Sequence, residues 1–209
     1  MHSRRHPIRN AILVIVGFVA LAGEVGAADL VAPSVQKTLE ASFSAKGQAT
    51  LARLAQDKTQ GLCTHYATSP IPAKVVTEIT AMGFATIKYP ADGEYLGDWQ
   101  RGEQIAQSGL GKQSSDDVEK PAGGNCYACH ELTKAEIAHG NLGPSLYHYG
   151  KLHGDNDVVK KYTWGKIYNA EAFTACSSMP RFGHKGILTA AQMKDLMSLL
   201  FDPRSPVNQ

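Results

Sequence analysis

The sequence predicts an all-α chain with a large irregular component, and three observations predict it. Helix-capping residues precede stretches of helical apolar spacing through the second half of the 209 residues. No βαβ pattern surrounds the paired cysteines. The composition is globular, with 43% hydrophobic and 19% charged residues, while 20 Gly and 10 Pro require many loops. A chain of this length buries an adequate core without staples, so its four cysteines and eight histidines call for an explanation other than stability.

The first element is an export signal. Arg4, Arg5 and Arg9 form a basic start, Ala11 to Ala22 an apolar run, and Val25-Gly26-Ala27 a small-residue cleavage site. The run falls short of the roughly 20 residues that cross a bilayer, so a cleaved signal at 1–27 is expected, with an uncleaved N-terminal anchor as the alternative. Cleavage takes three of the 21 basic residues and one of the 19 acidic ones, leaving the two signs balanced. A nucleic-acid partner is thereby excluded, and the expected location is the periplasm, with no permanent membrane anchor.

Residues 28–94 read as an N-terminal extension. Val35, Leu39 and Phe43 give helical spacing over Ser34–Ala45, Leu51 and Leu54 do so over Gln48–Asp57, and Ala73–Ala81 suggests a third short helix. Pro70, Pro72, Pro90 and Gly93 break these pieces into an irregular wrap rather than a separate domain. The main domain is expected over 95–209. Asp98 caps a helix running towards Gly109, and Gly102 within it suggests a close crossing with the helix over Gln192–Phe201. Asp157 to Tyr168 reads as another helix. Thr189 and Gln192 form a capping box before Met193, Leu196, Met197 and Leu200, whose spacing makes those two methionines core residues.

Chemistry concentrates in Cys126-Tyr-Ala-Cys129-His130. Two thiols at this spacing can add to the two vinyl groups of a haem, and the adjoining imidazole can then ligate the iron. A zinc site lacks a second pair of ligands at short spacing, and a thioredoxin-like pair lacks its βαβ frame. A disulfide within the motif is disfavoured by the tight loop. For the sixth position of the iron, Met179 is the best placed, on an irregular segment whose Pro180 stops any helix. Met193, Met197, His139, His148, His153 and His184 remain the alternatives. A carbonyl in Gly143-Pro144-Ser-Leu146 can accept the second ring N–H of His130 and orient it, which singles out Pro144. Exported proteins seldom leave two thiols unpaired, so a Cys63–Cys176 disulfide is expected, against the alternative of two buried thiols.

The order of the Asp98 helix with Gly102, the Cys126–His130 motif, Gly143-Pro144, Met179 on a loop and a C-terminal helix resembles class I cytochrome c over about residues 95–203. The wording around Gly97–Gly109, Gly123–His130 and Ser178–Gly183 is similar, more narrowly, to the SoxX family, the monohaem subunit of bacterial thiosulfate-oxidising SoxAX complexes. The insertion from Gln107 to Asn125 and the long extension agree with that family. The resemblance implies one covalent haem c at Cys126 and Cys129 with His130 and Met179 as axial ligands. It also implies a heterodimer with a SoxA-like cytochrome, transient contact with a sulfur-carrier protein, and a downstream electron acceptor. In such a complex, of L-cysteine S-thiosulfotransferase type, the chemistry lies at the partner's haem and this chain takes the two released electrons. A free-standing diffusible cytochrome is the other reading of the same residues. The extension favours the complex, since a free shuttle needs little beyond its haem-wrapping helices.

Overall fold

A computed structural model describes residues 33–209, so the signal expected at 1–27 lies outside the described residues. Seven α-helices and several short 3-10 turns make up the described chain, with no β-strand beyond an isolated Lys46–Ala49 bridge. The expected all-α class holds at this level.

The helices are α1 (Pro33–Ser42), α2 (Lys58–His65), α3 (Ala73–Thr86), α4 (Trp99–Gln107), α5 (Tyr149–His153), α6 (Asp157–Tyr168) and α7 (Ala190–Phe201). The core is centred on α7, where Met193, Leu196, Met197, Leu199, Leu200 and Phe201 are buried. Its start is the capping box expected there: Thr189 accepts from the Gln192 amide while the Gln192 side chain accepts from Thr189. Helix α4 crosses α7 at Gly102, where any Cβ would run into the Asp195 carbonyl. Asp195 fastens this crossing further by accepting from the Asp98 amide at 2.8 Å and twice from the Arg101 guanidinium at 2.9 Å. Helix α6 is capped by Asn156 and buries Trp164, whose indole N–H donates to the Lys88 carbonyl. The five-residue α5 escaped sequence reading and packs on α7 through Gly150.

Three expectations for the extension need correcting. No α-helix spans Gln48–Asp57; that stretch holds the Lys46–Ala49 bridge and a 3-10 turn at Leu51–Leu54. Asp57 starts a helix instead of ending one, because its carboxylate accepts from the Gln60 amide while the Gln60 side chain caps Asp57 in return. The third helix is longer than expected and runs on to Thr86. It can do so because Gly83 lies flat on the 3-10 turn Ala170–Ala172, with a Cβ there falling 2.6 Å from the Ala172 nitrogen. The first helix ends at Ser42, short of Ala45, and buries no residue.

Candidate functional site

The motif begins with Asn125 in a left-handed turn (φ 47°), which reverses the chain into a one-turn 3-10 segment, Cys126–Ala128. The His130 amide closes back on the Cys126 carbonyl at 2.9 Å, so the two cysteines and the histidine share a single turn. The buried Tyr127 anchors that turn inward by donating its hydroxyl to Glu103 on α4 at 2.8 Å. Burial and this bond to Glu103 push the Tyr127 hydroxyl well above its usual range. The following loop folds back over the motif through Gly140 N–H to Tyr127, Gly143 N–H to Cys129 and Leu146 N–H to Glu131.

This loop delivers two contacts to His130. Its Nδ1 lies 2.7 Å from the Pro144 carbonyl, the partner expected for it, which leaves Nε2 as the outward nitrogen. Gly143 lies against the ring face, where a Cβ would fall 2.5 Å from Nδ1 and 2.7 Å from Nε2. The imidazole is therefore held both in its plane and along one edge.

Cys126 and Cys129 are unbridged, whereas Cys63 and Cys176 form the expected disulfide, with Cα atoms 5.5 Å apart. Burial pushes the Cys126 thiol up to about 12. That is opposite to the lowered pKa of a thioredoxin-like attacking thiolate. No cluster of three His, Cys, Asp or Glu that could hold a metal ion by itself forms among the described residues, so the zinc reading gains no further ligand. The donor set, two thiols and one oriented imidazole in one turn, fits covalent haem attachment.

Met179 is half-buried and packs against the same core as Cys126. Its loop is pinned on both sides. Cys176, three residues before it, takes a left-handed conformation (φ 58°) and bonds Cys63 on α2. Arg181, two residues after it, is buried and lies 2.8 Å from Asp57 and 3.6 Å from Glu171. Lys185 reaches the same Asp57 oxygen at 2.6 Å. Partial burial opposes the Asp57 charge, but hydrogen bonds from Lys185, the Gln60 amide and Arg181 prevail and hold its carboxyl down at about 2. Glu171 is pushed the other way by burial. Beyond Arg181, Gly183 presses on the Tyr168 ring and Phe182 enters the core.

Several alternative ligands are engaged elsewhere. Met193 and Met197 are core residues of α7. His148 stacks on Tyr147 and bonds the Gln209 carbonyl at 2.5 Å, His153 packs on Tyr149, and His139 bonds the Gly140 carbonyl. Burial, then the charges of Arg181 and Lys185, hold His184 below its ordinary value. Sequence reading missed the roles of Asp57, Glu103 and Arg181, and placed Gly143 beside Pro144 without its packing on the His130 ring. Of these only Asp57 carried a local signal, the capping-box pair with Gln60.

No family model matches the chain. It is 42% identical over 159 residues to a protein of Aquifex aeolicus (strain VF5) described as an uncharacterized lipoprotein, and the match covers 74% of each chain. Among the described residues no helix is long and apolar enough to cross a membrane.

Proposed function

We propose, for a chain that belongs to the same family as this Aquifex aeolicus lipoprotein, the role of an exported c-type cytochrome of class I fold. In this reading it is the SoxX-like electron-accepting subunit of a thiosulfate-oxidising complex. Export is supported by the lipoprotein description of the relative and by the disulfide. The observation that carries the reading is the single turn holding the unbridged Cys126 and Cys129 beside His130, with the ring set by Pro144 and Gly143.

Joined through thioethers to Cys126 and Cys129, a haem c supplies one-electron redox chemistry. His130 presents Nε2 to it, and the Pro144 carbonyl on Nδ1 makes that nitrogen a stronger donor. Met179 would supply the second iron ligand from the loop after Cys176, and a His/Met pair favours the reduced state and raises the potential, which suits an acceptor. Joining thiosulfate to a carrier cysteine releases two electrons, and this chain would pass them on after the partner subunit's chemistry. The extension supports a lasting partner through the apolar residues it leaves uncovered, Val35 at 50%, Phe43 at 53% and Phe84 at 50% exposure.

The test is direct. Protein purified from its native source should retain one haem after denaturation, and Met179→Gly should abolish the near-infrared band of sulfur–iron ligation. An unchanged spectrum in Met179→Gly removes Met179 from the iron. Purification as a lone chain, without a second cytochrome, counts for the diffusible carrier and against the complex.

A further inference from the structure

One short helix of the extension holds both flanks of Met179. The Cys63–Cys176 bridge ties α2 to the chain three residues before the methionine, and Asp57, the N-cap of the same α2, ties Arg181 two residues after it. Arg181 is 8% exposed, and its guanidinium reaches Asp57 at 2.8 Å and Glu171 at 3.6 Å. Asp57 also takes Lys185 at 2.6 Å from the far end of the loop. Within the loop itself, Met179 has one local restraint, its amide donating to Ser177 Oγ at 3.2 Å. Backbone hydrogen bonds anchor this segment from Gly183 onward, through the Tyr168 carbonyl, whereas the stretch around Met179 belongs to no helix or strand and depends on its tethers.

We infer that Asp57 and Arg181 are positioning residues for Met179: the extension acts as a clasp that keeps the thioether presented, a role that rests on the haem reading above. The disulfide fixes one flank; on the other, Phe182 enters the core and the Gly183 and His184 amides donate to the Tyr168 carbonyl at 3.1 and 3.0 Å, which leaves Arg181 as the side-chain tether nearest the methionine. The ion pair between Asp57 and Arg181 closes the second flank, and Lys185 adds a second cation to the same carboxylate. Arg suits this place because its guanidinium spans two carboxylates that a single ammonium could not hold in one plane.

The experiment measures how readily imidazole displaces the thioether from the ferric haem of the purified, haem-loaded protein. Asp57→Asn keeps the helix cap and removes the charge that holds Arg181 and Lys185. It should tighten imidazole binding roughly 5- to 30-fold, the factor that about 1–2 kcal/mol of lost restraint carries. Lys194→Met, which removes the remote ion pair with Asp92 at 2.8 Å, should leave imidazole affinity unchanged. Should Asp57→Asn fail to accumulate with haem, Lys185→Met makes the same measurement with a smaller expected rise. Equal affinity in the wild type and the clasp variants overturns the inference. So does an equal rise in Lys194→Met, since loosening would then be general. A wild-type protein without the sulfur–iron band overturns the Met179 assignment itself, and the clasp falls with it, whereas a band present with unmoved affinities sinks the clasp alone.

Discussion

Gly143 has only a hydrogen where any other residue would place a carbon, and the His130 ring lies against that hydrogen. Replacing it by Ala forces either the ring or the loop over 131–146 to move. The loop is held by Gly143 N–H to Cys129, Leu146 N–H to Glu131 and Ser145 Oγ to Glu131, so the ring should yield. Gly143→Ala is expected to lower stability by about 1–3 kcal/mol, an overpacking cost, and to weaken the His130–Pro144 hydrogen bond. Thermal melting together with the exchange rate of the His130 Nδ1 proton checks both effects; wild-type values for the two would show that the ring has room. At this scale the motif residues were legible because Cys126, Cys129 and His130 encode their chemistry in local spacing, and Pro144 stands a fixed distance beyond. Asp57 and Arg181 were not legible as a pair. Their contact joins residues 124 positions apart, and a single chain carries no local mark of such a partner.

Among the elements, the crossing of α4 and α7 carries the sharpest consequence. Ala at position 102 gains about 1 kcal/mol of helix propensity over Gly, yet its Cβ would meet the Asp195 backbone, which cannot rotate away. The clash wins. Gly102→Ala should destabilise by about 1–3 kcal/mol, and Gly102→Val by more, as read by urea unfolding; a stabilised Ala variant would mean that the helices part without penalty. Helices α4 and α7 were readable because Asp98 and Thr189 cap them with side-chain hydrogen bonds, and α6, read from Asp157, is capped in the same way by Asn156. Helix α2 was missed because the apolar spacing of Leu51 and Leu54 drew the helix one element too early, although it continues only as a 3-10 turn. Helix α5 spans five residues, too few for periodicity to register, and starts from His148 in a left-handed conformation.

Over the whole molecule, the extension has a use that charge and length did not reveal. Helix α3 lies on the Ala170–Ala172 turn and α2 grips the Met179 loop, so much of the chain before residue 95 serves this protein's own interior. What the extension leaves for a lasting partner is therefore α1, which buries no residue, and the apolar side chains left outside. The Cys63–Cys176 bridge closes a loop with a sequence separation of 113, and replacing both cysteines by Ser should cost about 2–4 kcal/mol, measured by urea unfolding of the oxidised protein and the double variant. Equal midpoints would mean that the ion pairs alone secure the extension. The bridge also sets a biosynthetic timetable. It joins the first and last of four cysteines and encloses Cys126 and Cys129. An oxidant acting on the chain in order of emergence would couple Cys63 to Cys126, a wrong pair among the several that four thiols allow. Maturation must therefore keep the two inner thiols out of disulfides until Cys176 arrives to take its partner.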